Sequence, residues 1–177
     1  MSGPAGEQRL LILGTGSIAR HHAERFAQMP GCQLVAAVDT FDERARDFAA
    51  AFQIPVAFGS LAEAIAWGEF DAAVNSTPDG VHKPTTLELI AAGKPVFCEK
   101  PLALNHADAL EMTEAAEAAH LVNMVNLTYR NAVRWAYNPA PAWADVAEGP
   151  NVPVERAPER ITARGPSLHA PGEAGYR

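Results

Sequence analysis

The chain has 177 residues, 48% of them hydrophobic, which is enough for one domain with a buried core and short for two. Its formal charge is −7, all of it carried by residues 1–130, where nine Lys and Arg face sixteen Asp and Glu; residues 131–177 balance five against five. This excludes a basic face for nucleic acid, and with no run of about 18 apolar residues and no apolar stretch before the first strand, a cytoplasmic protein without signal peptide, membrane or nucleic-acid partner is expected.

From residue 9 onward, short continuous apolar runs alternate with helical spacing, the pattern of strands buried on both faces between helices. Strands are predicted at 9–13, 33–38, 71–76, 95–99 and 121–127, with a weaker one at 55–58. Helices are predicted at about 17–29, 42–52, 60–67, 81–92 and 105–119. Asp42 and Asn105 are candidate N-caps, and Gly93 with Pro95 ends the fourth helix. Strand and helix in alternation imply an α/β fold with a doubly wound parallel sheet, a Rossmann fold, over residues 7–130. Cys32 and Cys98 fall in these apolar runs without disulfide or metal-ligand spacing, so a reducing compartment and no metal are expected.

The first strand runs into "LGTGSIA", residues 13–19. Gly14 permits a tight turn, and Gly16 lets the backbone approach a diphosphate that the exposed N–H groups of the following helix N-terminus would stabilise. Ala19 replaces the third glycine of the usual pattern and is small enough for close packing of helix on strand. The alternative is a purely structural turn. Asp39 ends the second strand some twenty-odd residues later, where a carboxylate accepts hydrogen bonds from an adenosine ribose and repels a 2′-phosphate. NAD is therefore expected over NADP, a preference that Arg44 could soften; a turn or cap at Asp39 is the competing reading. The fourth strand ends in "NSTPDGVHKP", residues 75–84, with Thr77 and Pro78 at the carboxyl edge, where open α/β sheets bind ligands. His82 either lines that site or packs and caps. The fifth strand ends in "CEKPL", residues 98–102, where Lys100 could orient a substrate hydroxyl or carbonyl and stabilise developing charge.

With "AAVDT", "AAGKPVFCEKPLAL" and "VNLTYR", these motifs, in this order and at about this spacing, resemble the glucose–fructose oxidoreductase, inositol dehydrogenase and MocA-like family over residues 7 to about 131. The resemblance implies an NAD(P)-dependent oxidoreductase acting on a sugar, cyclitol or related polyol. Gly14, Thr15, Gly16, Ser17 and Ile18 would meet the diphosphate and Asp39 the ribose. Thr77, Pro78 and His82 would lie along the nicotinamide half, with Glu99 and Lys100 at the hydride-transfer site and Lys100 in the catalytic role. Tyr129 and Arg130 sit where the family chain crosses to a second domain.

The family's second domain carries a substrate-binding sheet and an acid/base histidine. Residues 131–177 show neither: the stretch around Trp135 is faintly like the start of the family's next helix, but half of the fourteen prolines lie between Pro139 and Pro171, and "NPAPAW", "EGPNVPVERAPER" and "HAPGEAGYR" contain no apolar period of either kind. An irregular tail, with the substrate domain missing through truncation or a frame shift, is expected. Ordinary lysine ammonium is a poor base at neutral pH. The chain is therefore expected to bind cofactor better than it turns over substrate, and to self-associate if an interface is left uncovered. The alternative is a non-catalytic nucleotide-binding or protein-interaction module.

Overall fold

A computed structural model describes residues 7–127; the expected tail, and Tyr129 and Arg130 before it, lie outside the described residues. Six strands form one parallel sheet: β1 (Gln8–Leu13), β2 (Cys32–Val38), β3 (Val56–Phe58), β4 (Ala72–Asn75), β5 (Val96–Glu99) and β6 (Asn123–Asn126). Between them run α1 (Ser17–Ala27), α2 (Asp42–Phe52), α3 (Leu61–Trp67), α4 (His82–Ala91) and α5 (His106–Ala118). The strand order is β3-β2-β1-β4-β5-β6. The chain winds outward from β1 to one edge, returns, and winds from β4 to the other. Direction reverses between β1 and β4, which opens a crevice at the carboxyl ends of those two strands.

The continuous apolar runs arise because β1, β2, β4 and β5 bury both faces, whereas the edge strands β3 and β6 are half-buried or exposed. Leu11 and Leu13 of β1 join Leu61, Phe70, Leu89, Ile90 and Ala116 in one core layer, whereas Leu10 and Ile12 join Ala19, Ala23, Phe48 and Ala49 in the other. Period-two alternation along β1 thus points at two apolar layers instead of at one layer and water. Among the described residues no helix is long and apolar enough to cross a membrane.

One local expectation, the Asp42 cap, is corrected, and two helix ends are refined. α1 stops at Ala27, two residues short of the predicted 29, because Met29 precedes Pro30 and is disfavoured from helical geometry, and Gly31 turns the chain at φ +81°. Asp42 is the first residue of α2 and not its cap. The N-cap is Phe41, which makes no side-chain capping bond, and its backbone N–H donates to Asp39 Oδ1 at 3.1 Å. The fourth helix begins at His82 after a 3-10 turn, Asp79–Val81. Asn105 does cap α5, accepting the Asp108 N–H at 2.9 Å.

Candidate functional site

Four loops meet at the carboxyl edge of the sheet, after β1, β2, β4 and β5. The β1 loop is the most constrained. Gly14 has φ +82°, and a Cβ there would lie 2.7 Å from the Ser76 carbonyl oxygen. Its N–H donates to the Val38 carbonyl at 2.8 Å, while the Ser76 N–H donates to Leu13 at 2.8 Å, so the loop is pinned to β2 and β4 at once. Gly16 is different: it is the N-cap of α1 in an extended conformation, and a Cβ there would meet nothing within 4 Å. No side chain caps α1 and no acid occupies its first turn. Among the described residues nothing caps the first-turn N–H groups, beginning at Ser17 and Ile18, and the helix places partial positive charge behind them. A diphosphate fits this cradle. Ser76 Oγ, buried in the same crevice, has no hydrogen-bond partner among the described residues.

Asp39 closes the β2 side. Its Oδ2 accepts the Thr15 N–H at 3.1 Å and the Thr15 hydroxyl at 2.6 Å. Thr15 is therefore turned into the protein, 6% exposed, and serves to tie the glycine loop to Asp39. Burial pushes the Asp39 carboxyl up, but the hydrogen bonds from Thr15 and Phe41 and the nearby Arg44 outweigh it and hold the group below its ordinary range. A carboxylate has about four acceptor positions. Three are used by Thr15 and Phe41, which leaves room for a ribose hydroxyl. The Arg44 guanidinium lies over the Phe41 ring, 5.5 Å from its centroid, with Nε 4.0 Å from Asp39 Oδ2. Among the described residues Arg44 is thus the cation that approaches Asp39 within 4.0 Å.

On the β4 loop, Thr77 and exposed Pro78 stand at the crevice. The turn is built by Asn75, which sequence reasoning did not single out. Its Oδ1 accepts from the Thr77 hydroxyl at 2.7 Å, and its Nδ2 donates to Thr85 and Thr86 of α4 at 2.8 and 3.0 Å. His82 is wholly buried. Its Nδ1 is 2.8 Å from the Pro101 carbonyl oxygen and its Nε2 2.8 Å from that of Thr77. The ring is thus engaged at both nitrogens and joins the β4 and β5 loops.

The β5 loop presents Lys100 to solvent at the same edge, whereas Glu99 is 5% exposed and turned inward. Glu99 Oε1 is 2.6 Å from His22 Nε2 and accepts from Asn126 Nδ2 at 2.6 Å, and Oε2 accepts the Lys100 N–H at 3.0 Å. Neither His22 nor Asn126 was predicted; the only signal in the sequence was that His22 shares a helix face with buried Ala19 and Ala23. Cys98, just before Glu99, is kept a thiol by burial, which pushes it up to about 11. It is no nucleophile at neutral pH.

Burial raises the Glu99 carboxyl, and the bonds from Asn126, His22 and the Lys100 N–H bring it below its ordinary range. A folded value below the unfolded one contributes stability that is present above the unfolded carboxyl range, about 4.3, and lost as pH falls through the folded value. The melting temperature is therefore expected to drop on acidification below about pH 5, and Glu99→Gln to flatten that drop. Circular dichroism melts of both proteins across this range check it; parallel curves would contradict it.

Residues 8–127 match the glucose–fructose oxidoreductase, inositol dehydrogenase and MocA model, described as an oxidoreductase family with an NAD-binding Rossmann fold. The chain is 37% identical over 116 residues to scyllo-inositol 2-dehydrogenase (NADP(+)) of Bacillus subtilis (strain 168), covering 66% of this chain and 35% of that protein. Against inositol 2-dehydrogenase of Gluconacetobacter diazotrophicus it is 37% identical over 109 residues, 60% of this chain and 32% of that one. Among solved structures, the WlbA dehydrogenase of Bordetella pertussis in complex with NADH and UDP-GlcNAcA superposes with a TM-score of 0.69 at 32% identity, covering 73% of this chain and 38% of that chain. The chain thus spans about a third of the length of the curated relatives it matches.

Proposed function

Because the chain belongs to the glucose–fructose oxidoreductase, inositol dehydrogenase and MocA-like oxidoreductase family, with its NAD-binding Rossmann fold, we propose that it holds a nicotinamide dinucleotide across the β1/β4 crevice and serves hydride exchange with a secondary alcohol or ketone of a sugar, cyclitol or related polyol. The observation that carries this reading is the uncapped N-terminus of α1 behind Gly16, with open space where a side chain would stand. Gly14, Gly16, Ser17 and Ile18 hold the diphosphate, and Asp39, preorganised by Thr15 and Phe41, takes the adenosine ribose. The other half of the ligand extends over β4 and β5, past Thr77 and Pro78 toward Lys100. Bound nicotinamide supplies or accepts hydride at its C4. Lys100 orients the substrate oxygen and offsets the negative charge that develops there. The inositol dehydrogenases among its relatives support a polyol as substrate class.

NAD(H) is the preferred form in this reading, since the Asp39 carboxylate would face a 2′-phosphate. Calorimetric titration of the whole chain with NADH and with NADPH tests it. Tighter binding of NADH is expected, with Asp39→Ala costing about tenfold in NADH affinity through lost charge-assisted hydrogen bonds and narrowing the gap to NADPH. A folded chain that binds neither nucleotide would overturn the proposal. Oxidation of a panel that includes myo-inositol and glucose by the purified chain separates a working oxidoreductase from a binding module.

A further inference from the structure

Glu99 is buried, and three of the about four acceptor positions of its carboxylate are taken inside the protein. The Oε1 atom sits between His22 and Asn126, and Oε2 holds the backbone N–H of Lys100. His22 is itself fixed: its ring packs edge-on against Phe97 with centroids 5.2 Å apart and lies 6.3 Å from Phe26. A carboxylate can only accept, so His22 Nε2 is the protonated ring nitrogen in this contact. Three elements are joined at one buried anion: α1, the end of β5 and the end of β6.

α1 is the helix whose N-terminus forms the diphosphate cradle, and His22 lies in its second turn. One rigid helix therefore meets the diphosphate at its first turn and the Lys100 loop, through Glu99, at its second. We infer that His22 is a positioning residue for Lys100, acting through Glu99 with Asn126 as the second donor, and that this cluster sets the nicotinamide end of the site relative to the diphosphate end. The inference rests on the dinucleotide reading proposed above. Removing His22 leaves Oε1 one donor short and loosens the carboxylate that holds the Lys100 N–H, while Gly14, Gly16, Thr15 and Asp39 keep their own contacts.

The test compares affinities of the whole chain for NADH and for ADP-ribose, which lacks the nicotinamide. His22→Leu keeps an apolar side chain against Phe26 and Phe97 and removes the donor. It is expected to weaken NADH by about tenfold and ADP-ribose by less than about threefold, the first being the effect of one buried charge-assisted bond. His22→Gln, whose amide can donate to the same oxygen, is expected to restore NADH binding. Asn126→Ala removes the other donor and is expected to show the same split; it carries the test should His22→Leu not fold. Equal weakening of both ligands would mark a general packing role and overturn the inference, as would unchanged NADH affinity in a folded variant. Wild-type chain that binds neither ligand would overturn the dinucleotide reading itself, a separate result.

Discussion

Gly14→Ala is expected to destabilise the domain by about 2–6 kcal/mol, enough to remove much or all of the stability of a domain of this size. Two independent costs meet at this residue. Its φ of +82° lies where an L side chain is strained, and an added Cβ would stand 2.7 Å from the Ser76 carbonyl oxygen, 2.9 Å from its carbon and 3.0 Å from the Thr77 nitrogen. All three are backbone atoms, so no rotamer change relieves the clash. Separation of the loops would break the bond from Ser76 N–H to Leu13 or that from Gly14 N–H to Val38, which fasten β1 to its two neighbours at the crevice. Urea unfolding followed by circular dichroism measures the loss. A wild-type midpoint for Gly14→Ala would mean that β1 and β4 do not approach this closely.

The architecture was legible in the sequence because the four inner strands are buried on both faces, and continuous runs such as Leu10–Leu13 and Leu34–Val38 are what a strand set between two apolar layers requires. β3 was the faintest, since only three residues, Val56–Phe58, pair there and all are half-buried. Helix ends were less legible where the capping group lies outside the helix. Asp42, an acid directly before an apolar helical pattern, reads as a cap, yet Asp39 accepts the Phe41 N–H from two residues upstream. Such a bond depends on how the chain leaves β2 and not on local residue preference. The strand order is likewise absent from periodicity, which says that strands alternate with helices but not on which side each returns.

The candidate positions could be picked out in the sequence where they are local to a turn. Gly14, Gly16, Asp39, Thr77 and Lys100 all stand at strand ends, where the apolar run stops and a residue with a distinct role begins. What could not be read were partners brought together from a distance: His22 and Glu99 are separated by 77 residues, and Glu99 and Asn126 by 27. Glu99 and Lys100, adjacent in sequence, read as a pair at one site. β5 ends at Glu99, whose carboxylate is buried, while Lys100 beyond the strand is exposed to solvent. His82 shows the same limit, because its two acceptors belong to two different loops.

Gly16 and Gly14 share one motif, yet their substitutions should fail in opposite ways. Gly16 has φ −71° and ψ −171°, a conformation open to any residue, and its Cβ position is empty to 4 Å. Gly16→Asp therefore introduces no clash and places at the N-cap of α1 a side chain that accepts the first-turn N–H groups and favours the helix by a few tenths of a kcal/mol relative to glycine. The melting temperature is expected to hold or rise slightly. The same carboxylate occupies the place of the diphosphate and repels it, and like charges in contact cost several kcal/mol, so NADH affinity is expected to fall by at least about a hundredfold. A thermal melt and a calorimetric titration on one preparation read both effects. Loss of binding at unchanged stability would separate the anion site from the fold, since a structural glycine loses stability first. Retention of NADH binding by a folded Gly16→Asp protein would mean that the diphosphate is held elsewhere than at the start of α1.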